Sequence, residues 1–268
     1  MRKWLFWSVA ILLGVGLVGF AYENFWALRA VERPPQAQVN LTIPEGASVA
    51  QIARLASEKG IAGRGKIVAL NLASEFSAEY PFLTGLPGEA GLEGYLFPDT
   101  YTFSVGTNAK DFIEELLNNF KTKVINALAG PLVSAKRPLH EILAVASLVE
   151  KEVTGKENRP LAASVIYNRL KLNLPLELDS TIVYISGNGS GVFDKGEKLI
   201  DSPYNTFKKR GLPPGPIGNP GLESIKAALA PQGSDYLYFL TDRAGQVHFS
   251  ATLEGHYINR AKFLESLL

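Results

Sequence analysis

The 268-residue sequence predicts an α+β fold of helices followed by short strands, set behind an N-terminal transmembrane helix and a small strand-helix module. Three observations carry that reading. Apolar residues recur at helical spacing over residues 108–172, segments of strand type follow at 236–241 and 246–250, and residues 4–22 contain no charged side chain. Composition limits function as well. With 27 Lys plus Arg against 26 Asp plus Glu, the chain lacks the unbalanced basic charge that nucleic-acid binding needs. The absence of cysteine excludes disulfides, thiolate catalysis, Cys-ligated zinc and iron–sulfur clusters.

Nineteen uncharged residues in a helix cover roughly 28 Å, about one hydrocarbon core. Arg2 and Lys3 precede them, so the positive-inside rule keeps the N-terminus cytoplasmic and sends the rest across. A cleaved signal peptide fits less well, because the apolar run is long and its exit, Phe20 to Trp26, is bulky. Residues 1–22 are therefore read as cytoplasmic tip and anchor, and 23–38, with Pro34-Pro35, as a stiff linker.

Residues 39–103 form the small module and its connection. A strand at 39–44 is followed by a turn at Glu45-Gly46, a helix at 49–59 capped by Ser48 and ended by Gly60, and a second helix at about 65–75. Residues 104–268 form the larger domain. Asn108 caps a helix that runs to about Gly130; a second spans about 138–153; a third opens at Asn158, with Pro160 in its first turn, and ends near Leu172. A helix at 222–229, the two strands, and a terminal helix from about Glu254 complete it.

Several motifs carry no chemistry. Gly60 to Lys66, GIAGRGK, has P-loop spacing, but Ile67 stands where magnesium would need Ser or Thr, and a helix precedes it. The glycines at 187–191 read as a surface loop. His140, His248 and His256 form no ligand pair, so no metal site is expected, and no G-x-S-x-G elbow occurs.

Carboxylate chemistry remains, and the end of the second helix is its best location. At 100° per residue, Ile142, Val145, Leu148, Val149 and Val153 share a stripe, with Glu152 just inside its edge and Glu150 and Lys151 elsewhere. A carboxyl on the apolar side is desolvated, which raises its pKa as a general acid requires; Glu150 is read as more solvated and suited to orienting. Alternatively Glu152 is a helix-end acid paired with Lys156 or Arg159. Spacing leaves both open.

The strings LEGYLFPDTY (92–101), ILAVASLVEKE (142–152), ASVIYNRL (163–170), LDSTIVY (178–184), SPYNTF (202–207), GLPPGPIGNPG (211–221) and YLYFLTD (236–242) occur in one order. Together they resemble the endolytic murein transglycosylases, the MltG or YceG-like family. The resemblance implies a LysM-like module at 39–103, a YceG-like catalytic domain at 104–268 acting on peptidoglycan strands, and Glu152 as the catalytic acid. It implies cleavage between N-acetylmuramic acid and N-acetylglucosamine with 1,6-anhydro ends, no cofactor, and peptidoglycan polymerases and elongation or division complexes as partners.

By the same resemblance Asp179, Ser180, Thr181, Tyr204, Asn205 and Thr206 line the cleft, their hydroxyls, amide and ring suited to sugars. The alternative for these residues is capping and turn formation. The Pro- and Gly-rich stretch at 211–221 is expected to shape a loop over that cleft. For the whole chain, the alternatives are a non-catalytic peptidoglycan-binding membrane anchor and a hydrolytic muramidase.

Overall fold

A computed structural model of the chain describes Tyr22 and residues 37–87, 89–187 and 195–265. Apart from Tyr22, the expected membrane segment lies outside the described residues, as do most of the linker and of the glycine loop at 187–191. Among the described residues no helix is long and apolar enough to cross a membrane. The chain divides into two compact units, Met1–Ala37 and Gln38–Leu268.

The second unit opens with strand β1 (Gln38–Thr42), then α1 (Val49–Glu58) and α2 (Arg64–Ala69). Ser48 caps α1 through a full capping box with Gln51, so two orphan N–H groups are satisfied reciprocally. Gly60, at φ +69°, turns the chain towards α2, and the GIAGRGK glycines lie at this helix-helix junction. The helix expected to reach residue 75 stops at Ala69. Asn71 is diverted: its Oδ1 accepts the N–H of Leu92 at 2.8 Å, and short 3₁₀ turns, Ala73–Glu75 and Pro81–Leu83, follow in place of a longer helix.

Strand β2 (Thr100–Ser104), which the sequence reading lacked, pairs antiparallel with β1, Leu41 facing Tyr101 and Val39 facing Phe103. Leu41, Tyr101 and Phe103 point into the core, as the two-residue period requires. The first and last segments of the module are thereby stitched together.

Asn108 caps α3 (Ala109–Phe120) as expected. The helix then widens into a π-helical turn at Lys121–Asn126, where the Thr122 hydroxyl donates to Asn118 O and competes with the backbone ladder. Gly130 does not end the helix; it sits inside a separate α4 (Ala129–Ala135).

Helix α5 (Leu139–Glu152) is the centre of the fold. Every residue from Ile142 to Val149 is buried, so the expected single stripe is too narrow. The reason is that α5 is packed by α6 (Arg159–Lys171), α7 (Asp179–Ser186) and α8 (Leu222–Leu229). The Pro- and Gly-rich loop also lies against it, with Ile217 N donating to Ser147 Oγ at 3.0 Å. Most of this loop is buried rather than lying open over a cleft. At Gly94, φ +90°, a Cβ would come within 2.5 Å of Pro216 Cγ, so only glycine permits the approach.

Helix α7 was not foreseen. Thr181, Ile182 and Val183 give it weak helical propensity, and tertiary packing overrides that. The final elements are the antiparallel hairpin of β3 (Tyr238–Thr241) and β4 (Val247–Ser250), followed by α9 (Leu253–Arg260). The α+β class predicted from sequence is the one observed.

Asn219, fully buried, joins three segments. Its Oδ1 accepts from Leu96 N at 2.8 Å, and its Nδ2 donates to Ala47 O at 2.9 Å and Glu93 Oε1 at 3.0 Å. Truncation strands the Leu96 donor in the interior, so Asn219→Ala is expected to lose about 2–4 kcal/mol in urea denaturation. A loss under about 1 kcal/mol would show that water or repacking replaces these bonds.

Candidate active site

Glu152 is the last residue of α5, and its backbone carbonyl accepts the Thr241 hydroxyl of β3 at 3.4 Å. Its side chain keeps partial exposure and turns to the start of α7, where Ser180 N donates to Oε1 at 3.2 Å. The first N–H groups of a helix have no partner within it and favour an anion. Leu178, the residue before α7, supplies no side-chain cap.

Burial nonetheless dominates and raises the Glu152 pKa, opposed by the hydroxyl and N–H of Ser180, with the Asp179 charge adding to the rise. The Ser180 hydroxyl leans on the carboxylate without reaching full hydrogen-bond geometry. Its buried Oγ therefore has no partner among the described residues.

The ion pair considered for Glu152 does not form. Arg159 instead pairs with Glu150, Nη2 to Oε1 at 2.8 Å, and reaches Glu45 at 3.6 Å. Among the described residues no cation lies within ion-pair reach of Glu152. Glu150 also differs from the reading as the more solvated acid. Its side chain is 6% exposed, and Oε2 accepts Gly221 N at 2.9 Å, just ahead of α8. That amide and the guanidinium compensate its burial.

The sequence-predicted cleft residues divide into two sets. Asp179 and Ser180 stand in the first turn of α7; Asp179 is 58% exposed and pairs with Lys198 at 3.1 Å, while Ser180 meets Glu152. Tyr204 is partly buried, its ring 5.2 Å from that of Tyr184 on α7.

The other three are interior. Thr181 and Thr206 share a hydroxyl–hydroxyl bond at 3.0 Å, and Thr206 Oγ1 accepts Leu178 N at 3.0 Å, fixing the start of α7. Asn205, also fully buried, gives its amide to the carbonyls of Lys198 and Ile200 and accepts Phe207 N, so it staples its own loop. Two surface depressions of about 480 and 400 Å³ share Leu212 and Pro214, and neither is lined by Glu152. Among the described residues no group of three or more acids and histidines is arranged to hold a metal ion.

A model of the YceG-like family matches residues 22–262. The chain belongs to that family. It is 36% identical to the endolytic murein transglycosylase of Bacillus subtilis, the match covering 84% of this chain and 65% of the relative. It is 35% identical to that of Streptococcus pneumoniae strain D39, covering 87% of this chain and 46% of the relative. The chain thus spans between about half and two thirds of the length of these relatives. A crystal structure of a YceG-like protein from Listeria monocytogenes matches with a TM-score of 0.75 at 36% identity, over 82% of this chain and 75% of that one.

One acid of this family member was missed in the sequence although it lies in the LEGYLFPDTY string. Glu93 interrupts a nearly apolar run, and that placement was the available signal. Its carboxyl is deeply enclosed, accepting from Val49 N at 3.0 Å and from Asn219 Nδ2. Burial pushes it up to about 8, against the Val49 N–H, the Tyr184 hydroxyl and the Lys151 charge.

Both raised acids have the same stability signature. An unfolded glutamate ionises near 4.3, whereas these hold their protons to higher pH, so the folded state binds more protons between those values and stability falls as pH rises. Glu152→Gln is expected to flatten part of that fall on the alkaline side of the unfolded ionisation near 4.3 while keeping the fold. Glu150→Ala, which leaves Arg159 with the longer Glu45 contact and Gly221 N without its acceptor, is expected to lose about 3 kcal/mol. Thermal melts across that range check both; an unchanged slope in Glu152→Gln counts against its raised pKa.

Proposed function

We propose that this chain is an endolytic lytic transglycosylase of peptidoglycan, a lyase cutting between N-acetylmuramic acid and N-acetylglucosamine within nascent strands. The observation that carries the proposal is the condition of Glu152: enclosed, raised in pKa, with no cation in ion-pair reach among the described residues, and facing the N-terminus of a helix. The names of the Bacillus and Streptococcus relatives support the same chemistry.

Protonated Glu152 gives its proton to the glycosidic oxygen as the bond from muramyl C1 breaks, its electron pair leaving with that oxygen. The Ser180 N–H then stabilises the carboxylate. As the muramyl 6-hydroxyl oxygen attacks C1, its proton passes to Glu152, which is restored. The product is a 1,6-anhydro end; no water is consumed, so one carboxyl acting as acid and then base suffices. The partly exposed Ser180 edge and the Tyr184–Tyr204 ring pair are suited to the sugar.

In this reading residues 4–22 anchor the protein in the inner membrane as a single span with a cytoplasmic N-terminus, the module at 39–103 is LysM-like, and cutting terminates strand elongation beside peptidoglycan polymerases and elongation or division complexes. The anchor's charge pattern and apolar length support it.

The test is mass spectrometry of glycan strands incubated with the full chain in detergent. Anhydro-muramyl ends are expected, and Glu152→Gln is expected to slow their release by about 10²–10⁴-fold with strand binding retained. Reducing ends would instead mark a hydrolase, and binding without cleavage would mark a tethered peptidoglycan-binding protein.

A further inference from the structure

Two enclosed acids lie against one face of a single short helix. Ser180 and Tyr184 are four residues apart on α7 and so share a face one turn apart. Ser180 gives its N–H to Glu152 Oε1 at 3.2 Å; Tyr184 directs its hydroxyl to Glu93 Oε2 at 3.5 Å, the long end of hydrogen-bond reach. Glu93 is itself immobilised from the far side. Oε1 accepts from both Val49 N, the first amide of α1, and Asn219 Nδ2, each at 3.0 Å. The Tyr184 ring is backed by Tyr204. The start of α7 is held by Thr206, and the Glu93–Tyr184 contact reaches the next turn.

We infer that Glu93 is a positioning residue of the reaction, setting the rotation of α7 through Tyr184 and thereby the placement of the Ser180 amide on Glu152. This rests on Glu152 being the acid, as proposed above. The hydrogen-bond pattern suits a neutral carboxyl. Val49 N straddles the carboxyl, at 3.0 Å from Oε1 and 3.2 Å from Oε2, and Asn219 Nδ2 adds to Oε1, which leaves Oε2 as the oxygen that can carry the proton and donate to Tyr184 Oη. Burial keeps Glu93 neutral to about pH 8. Among the described residues the titratable groups that face it are Lys151 from α5, Tyr184 from α7 and Tyr204 from the 202–207 loop. Once Glu93 ionises, Tyr184 must donate rather than accept, and a buried anion lies beside two phenols with Lys151 as the facing cation. The helix that holds Ser180 is then displaced.

The test is the pH dependence of kcat and KM on uncrosslinked glycan strands, using the full chain, for wild type, Glu93→Gln, Glu93→Ala, Tyr184→Phe and Glu152→Gln. Wild type is expected to lose kcat above pH about 8, with KM little changed. Glu93→Ala is expected to lower kcat about tenfold at pH 7. Glu93→Gln, which copies the neutral acid, recovers most of that loss and removes the Glu93 part of the alkaline fall, leaving the part that ionisation of Glu152 itself gives. Tyr184→Phe keeps the ring, lowers kcat by several-fold and weakens the same alkaline fall. A merely structural glutamate would change stability without moving the pH profile.

An unaltered alkaline limb in Glu93→Gln, or wild-type kcat and profile in Tyr184→Phe, overturns the inference. If Glu93→Gln fails to fold, Tyr184→Phe decides. The parallel Glu152→Gln measurement separates the two levels. Full activity there overturns the assignment of the acid itself, whereas an inactive Glu152→Gln beside unchanged Glu93→Gln and Tyr184→Phe profiles overturns only the positioning role.

Discussion

The site depends on keeping one guanidinium away from one carboxylate. Glu150 and Glu152 are two residues apart on α5, and Arg159 enters from the next helix within reach of that helix end. Because Glu150 and Glu45 take the guanidinium, Glu152 is left with burial opposed only by neutral donors. Pairing with arginine would pull a carboxyl pKa down and leave an ion that cannot act as an acid at neutral pH. Glu150 therefore matters through what it withholds.

The architecture around α5 serves that separation. An enclosed helix cannot rotate to exchange its acids, because Ile142 to Val149 are packed on every side. The buried loop at 216–221 fixes the helix twice, through Ile217 on Ser147 and through Gly221 on Glu150. On the opposite side α7 brings its uncapped first turn to Glu152, with Thr181 and Thr206 spending their hydroxyls to keep it there.

Features governed by neighbours in sequence were legible. The Ser48 and Asn108 caps, the span of α5, the proline-started α6 and the terminal hairpin follow from local spacing, and so does Glu152 at the border of the apolar stripe. What local spacing does not contain is pairing across the chain. Glu150 is buried because Gly221, 71 residues away, supplies an amide; Glu93 is held by Val49, Asn219 and Tyr184 from three separate segments. Asn205 and Thr206 have side chains suited to sugars, and only the fold reveals that their polar atoms are already committed. Helix α7 escaped because its β-branched residues resemble a strand or turn when read alone.

Asn219 has a consequence for inheritance. Its amide unites the turn at Ala47, the loop at Glu93 and Leu96, and the approach to α8, so a cut between the β1–β2 segment and the helices that follow it leaves donors unmatched. A chimera that replaces the segment before that cut would have to import the complementary turn and acid too. A crossover between Ala47 and Asn219 separates these partners, whereas one before Gln38 severs none of these bonds.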